Sequence, residues 1–174
     1  MRTIPLETIV ERWHEVLRTR PDNLQLLVED FASRQPWLLS YLLTAGGRDL
    51  NEEARSALFM YGYIIWRIME QENPHLKQID DDLIIAVDEE NARFMDRIGV
   101  LEETDFSQVV NEVLKQHPQQ PLLRATIEAL IEEASTGDFS DFMAGLIFVY
   151  LKNVIDCIQR ADEMWEPGDS SDTR

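Results

Sequence analysis

Phe59-Met60-Tyr61-Gly62-Tyr63-Ile64-Ile65-Trp66 lies inside a helical run from Ala54 to Glu70. Between Ala57 and Met69 the only charged residue is Arg67. A helix that is apolar on every side has no face to give to water, so this stretch belongs in the middle of a core. A second stretch of the same kind, Phe142-Met143-Ala144-Gly145-Leu146-Ile147-Phe148-Val149, follows late in the chain. Together they predict an all-α, single-domain bundle of seven or eight helices arranged around two central apolar helices. Gly inside a helix is unfavourable by about 1 kcal/mol relative to Ala. Gly62 and Gly145 are therefore expected to mark the point where the two central helices cross.

The remaining sequence divides at its Pro, Gly and Asx punctuation. A first helix starts near Pro5, carries Ile9, Val10, Trp13, Val16 and Leu17 inward, and ends at Pro21. Asp22 or Asn23 caps a second, with Leu24, Leu27, Val28 and Phe31. Pro36 opens a third, which stops at Gly46-Gly47. Asn51 caps the central helix, which persists to Glu72 before Asn73-Pro74. The run Asp80-Asp81-Asp82 reads as a cap and first turn for a fifth helix, with Leu83, Ile84, Val87, Phe94, Met95 and Ile98 inward and Gly99 at its end. Its outer face is expected to carry Asp88, Glu89 and Glu90. A sixth helix runs from Thr104 or Asp105 to His117-Pro118, with Phe106, Val109, Val110, Val113 and Leu114 inward. A seventh opens at Pro121, carries Leu122, Leu123, Ile127, Leu130 and Ile131, and ends at Thr136-Gly137. Asp138 is expected to cap the last, Phe139 to about Glu163. The domain spans 1–165, and 166–174 form a polar tail with nothing to bury, expected to be disordered.

Three pairs of segments resemble one another in order: Glu15–Pro21 with Glu112–Pro118, Gln35-Pro36 with Gln120-Pro121, and Phe59–Gly62 with Phe142–Gly145. One reading is an internal duplication about a pseudo-twofold axis. The other is the general likeness of amphipathic helices, which the shrinking offset between successive pairs favours.

Composition limits the function classes. The 174 residues include 33 acidic against 16 basic side chains, a net charge of −17. Nucleic-acid binding needs Lys and Arg to neutralise phosphates, and an anionic membrane surface attracts basic segments, so neither partner is expected. No apolar run reaches the ~20 residues that span a bilayer, and Met1–Pro5 has no apolar signal region. These features point to the cytoplasm. The single cysteine, Cys157, stands in the apolar pattern Val154, Ile155, Ile158 and reads as a buried thiol.

No catalytic constellation, metal set or cofactor fingerprint emerges. Glu11-Arg12-Trp13-His14 matches the Glu-x-x-His pattern of di-iron bundles. The second match, Glu72–His75, contains Pro74 and cannot form one helical face. The residue types instead suggest three kinds of contact. Asp80, Asp81, Asp82, Asp88, Glu89, Glu90, Glu102 and Glu103 form acidic faces suited to a basic protein partner, which makes a non-catalytic adaptor, inhibitor or immunity-type protein the leading expectation. Arg67 beside Tyr63 and Trp66 could line a pocket for an anionic ligand in a sensor or enzyme, or else lay its stem over apolar residues and reach water. Trp165, at the end of the last helix, and Trp37 could bury apolar surface in a homodimer.

Overall fold

The computed structural model describes residues 1–19, 23–98, 114–137 and 139–163, with 94–98 described in their backbone alone. Within these residues there are seven helices of more than one turn and no strand. They are α1 (Leu6–Thr19), α2 (Leu24–Arg34), α3 (Pro36–Thr44), α4 (Glu52–Glu72), α5 (Asp81–Ile98), α6 (Gln120–Thr136) and α7 (Asp141–Glu163). Leu114–Gln116 are also helical. The expected sixth helix otherwise lies outside the described residues, as do Gly99, Asp138, Trp165 and the 166–174 tail. Among the described residues no helix is long and apolar enough to cross a membrane.

The helix starts follow from their capping chemistry. Asn23 Oδ1 accepts from Gln25 N–H at 2.9 Å, Asn51 Oδ1 from Ala54 N–H at 2.8 Å, and Asp80 Oδ1 from Leu83 N–H at 2.8 Å. Each satisfies a first-turn donor that the helix itself leaves unpaired. Pro36 sits in the first turn of α3, where its missing N–H leaves no bond unmade. The last helix departs from expectation. It begins at Asp141, and Ser140 faces its first turn, with Met143 N–H pointing to Ser140 Oγ at 3.3 Å. Gly137, at φ 92°, closes α6 in the left-handed region that favours Gly.

The core is centred on α4 and α7, which share the most extensive packing in the described structure. Along α4, Ala57, Leu58, Phe59 and Tyr63 through Trp66 are buried. The two glycines do not mark the crossing. Gly62 faces Leu42 of α3, and a Cβ there would lie 2.5 Å from Leu42 Cδ1. Gly145 is exposed, and nothing lies within 4 Å of the place a Cβ would take. The apolar opening of α7 is also only partly internal, because Phe142 is exposed. The deeply buried part of α7 comes later, Leu151 and Asn153 through Gln159.

Two more inward expectations are corrected. Val10 and Leu17 of α1 are exposed, while Ile9 and Val16 are buried. Both sets fit helical spacing, but they are two stripes side by side and only one faces α4. Ile131 of α6 is exposed as well. Thr126 takes an inward place on that helix, with its hydroxyl donating to Leu122 C=O at 2.9 Å.

Candidate functional site

Arg67, Tyr63 and Trp66 come together around the Trp66 ring. The Trp66 ring is fully buried and stacks on Phe31, centroids 4.5 Å apart at 4°. Tyr63 OH donates to Asp30 Oδ2 at 3.2 Å. Arg67 Nη1 donates to Glu70 Oε2 at 2.6 Å, and the same oxygen accepts from Arg34 Nη1 at 2.7 Å. Both guanidinium carbons lie over Trp66, at 5.4 Å for Arg34 and 5.5 Å for Arg67. Arg67 therefore reaches outward across an aromatic face, with Glu70 as its partner. Burial opposes the charge on Arg34, but its bonds to Asp30 and Glu70 outweigh that, and its pKa is raised. Burial, and then the Asp30 carboxylate, raise the Tyr63 phenol.

A buried polar cluster lies between α3, α5, α7 and the turn before α6. Lys152 Nζ donates to Asp156 Oδ2 at 2.6 Å and to Asn91 Oδ1 at 2.9 Å. Asn91 Nδ2 donates to Asp156 Oδ2 at 2.8 Å and Asn153 Oδ1 at 2.6 Å. Asn153 Nδ2 in turn reaches Asp88 Oδ1 and Tyr41 Oη, both at 2.7 Å. Tyr41 OH donates to Asp88 Oδ1 at 2.9 Å. His117 Nδ1 accepts from Gln119 N–H at 2.9 Å, so the ring proton resides on Nε2 and points to Asp156 Oδ1 at 2.7 Å. Both His117 nitrogens are thus engaged, which leaves no free nitrogen for a base.

Burial works against the Asp156 charge, but His117, Lys152 and Asn91 overcome it and hold its carboxyl below the usual range. Burial, and then nearby carboxylates, push the neighbouring Cys157 thiol up to about 12. The sequence pattern gives Asp88 an outward place beside Glu89 and Glu90. It turns inward instead, because Asn153 and Tyr41 offer it donors. Asn91 and Asn153 escape a reading by pattern altogether. Their only signal in the sequence is that they are polar residues at positions helical spacing turns inward.

An open cleft of about 590 Å³ lies beside the ends of α4 and α7. Met1 to Pro5, Glu72, Asn73 and Asp162 line it. Asn73 Nδ2 donates to Asp162 Oδ1 at 2.6 Å, and the Met1 amino group rests on the same carboxylate. The carbonyl ends of two helices add to the negative potential there.

The acidic run at the start of α5 is exposed, as are Glu89 and Glu90. Arg93 pairs with Glu89 at 3.4 Å, and Arg160 pairs with Glu90. Asp81, Asp82 and Glu89 surround Ile85 at the i−4, i−3 and i+4 positions of one helical face. Glu102, Glu103 and Trp165 lie outside the described residues. Among the described residues no cluster of three or more His, Cys, Asp or Glu is placed to hold a metal ion. The chain matches no protein-family model, no curated protein and no solved structure.

Proposed function

We propose that this is a non-catalytic cytoplasmic interaction protein whose α5 outer face takes a basic, amphipathic segment of a partner protein. The observation that supports this reading is Ile85, which is 54% exposed at the centre of an acidic face. An acidic surface alone is explained by solubility. An exposed branched apolar side chain ringed by Asp81, Asp82 and Glu89 is suited to a contact in which charge steers the approach and an apolar anchor gives the residence time. The inner side of α5 is held by Ile84, Val87 and the Asp88 and Asn91 bonds, so the outer face is presented rigidly.

The test is a titration with a helical Lys/Arg-rich peptide bearing an apolar stripe, followed by calorimetry at two salt concentrations. Affinity should fall as salt rises. It should fall about tenfold further with Ile85→Ser, which leaves the charge unchanged, in keeping with one lost apolar anchor. Binding that ignores Ile85→Ser would reduce the interaction to non-specific polyelectrolyte attraction and end the proposal.

A further inference from the structure

We propose that α1 is a self-association surface, on which a second copy of this chain docks its own α1 antiparallel to the first. This face is distinct from the outer face of α5 and does not depend on the reading of that face.

The surface is the second apolar stripe of α1. Leu6, Val10 and Leu17 are 50%, 47% and 39% exposed. Their spacings of four and seven residues put them on one line of the helix, adjacent to the buried Ile9 and Val16 line. Glu7 and Arg18, both exposed, follow on the flank of this stripe toward its opposite ends. Neither makes a salt bridge with another described residue.

The charges fix the occupant and its direction. In an antiparallel pair of identical helices, residue i faces the residue of the second copy whose number makes a constant sum with it. The register that places Glu7 opposite Arg18 of the second copy also places Glu11 opposite His14. In that same register Leu17 falls opposite position 8, between Leu6 and Val10 of the second copy. Apolar interdigitation and charge pairing therefore agree on one arrangement, the requirement of a self-complementary twofold contact. A parallel pair in register would instead set Glu7 against Glu7 and Arg18 against Arg18.

Overall charge is compatible with the same place. α1 holds two arginines and three glutamates, a net −1, whereas the whole chain carries −17. Two copies therefore repel little along this helix. Two fourteen-residue helices bury less than a standard interface, so the dimer should be weak, with Kd on the order of 10 μM.

Sedimentation equilibrium of the full chain, at ionic strength near 0.15 M where distant charges are screened, tests this. A monomer–dimer equilibrium is expected. Val10→Glu should abolish the dimer while circular dichroism and the melting temperature stay close to those of the parent, since the side chain is exposed. Glu7→Arg and Arg18→Glu should each raise Kd about tenfold by setting like charges face to face. The double variant Glu7→Arg/Arg18→Glu should restore it to within about threefold of the parent value. A monomer at every concentration, or a dimer indifferent to Val10→Glu, would overturn the proposal. A dimer lost with Val10→Glu but unmoved by the charge reversals, or not restored by the double variant, would overturn the antiparallel register.

Discussion

Gln35 and Gln119 do the same work at two places in the fold. Each is fully or almost fully buried next to the start of a helix, α3 for Gln35 and α6 for Gln119. Each grips a passing segment through both ends of its amide. Gln35 Oε1 accepts from Ile79 N–H at 2.9 Å while its Nε2 donates to Lys77 C=O at 3.0 Å. Gln119 Oε1 accepts from Ile4 N–H at 3.1 Å while its Nε2 donates to Arg2 C=O at 2.9 Å. In both cases the two backbone groups are two residues apart, and the residue that donates its N–H is an isoleucine buried in the core. The amide thus substitutes for a neighbouring strand, giving an irregular buried segment the donor and acceptor it would otherwise lack.

It follows that Gln35→Ala and Gln119→Ala should each destabilise the fold by about 2 kcal/mol, since each leaves a buried N–H without its acceptor. Urea unfolding reads this directly. A change below about 0.5 kcal/mol would mean that water reaches Ile79 or Ile4 and replaces the amide.

The two mid-helix glycines should respond with opposite signs to the same substitution. At Gly62 an alanine methyl meets Leu42, a buried side chain in a packed core, and overpacking of that kind destabilises by about 1–3 kcal/mol. At Gly145 nothing lies within 4 Å of the added methyl, so only the helix propensity changes and Gly145→Ala should stabilise by up to about 1 kcal/mol. Paired thermal melts of the two variants check this. The same sign at both sites would contradict the packing of α3 on α4.

That contrast shows where the sequence is legible. Gly62 and Gly145 have the same local context, Phe-Met-x-Gly, yet one is covered by a neighbouring helix and the other is not. Periodicity reports how many faces are apolar and says nothing of which neighbour covers them. The caps at Asn23, Asn51 and Asp80 and the stop at Gly137 are readable because they are local chemistry. The two apolar stripes of α1 read as one inward face because both satisfy the same helical spacing. The buried cluster around Asp156 is hard to read, because it joins three separate stretches, 88–91, 117 and 153–156. Asp88, His117 and Asp156 each resemble an ordinary surface residue, and Asn91 and Asn153 show only as polar residues at inward positions. Arg67 is readable in part. Its partner Glu70 is one turn along the same helix, whereas its companion Arg34 arrives from α2.

Asp156 should make the fold sensitive to acid. Its pKa is lowered in the folded chain, so the charged form is favoured by folding. Its contribution is present above the unfolded-state value of about 3.9 and is lost as pH falls through the lower folded value. Asp156→Asn should destabilise by about 3 kcal/mol at neutral pH, because the buried Lys152 charge loses its counter-charge and only one acceptor oxygen remains where Lys152 and His117 use two. It should also remove part of the loss of stability below about pH 4. Chemical unfolding of both proteins across the acid range measures this. Parallel stability–pH curves would show that other carboxylates account for the acid response.

The Trp66 cluster makes the last prediction, and it separates packing from charge. Arg67 lies partly exposed over the Trp66 face and shares Glu70 with Arg34. Arg67→Met keeps a flexible stem over the ring and leaves Glu70 with Arg34, so stability should change by less than about 1 kcal/mol. Glu70→Met removes the acceptor common to both guanidinium groups. Arg34 retains Asp30 at 2.8 Å, but two cations then lie side by side over Trp66 with less to offset them. The second substitution should therefore destabilise more than the first, by about 1 kcal/mol, and the gap should shrink as salt screens the repulsion. Urea unfolding of both variants at low and high salt decides the point. An Arg67→Met protein losing several kcal/mol would mean that Arg67 is bonded within the core and not laid across its edge.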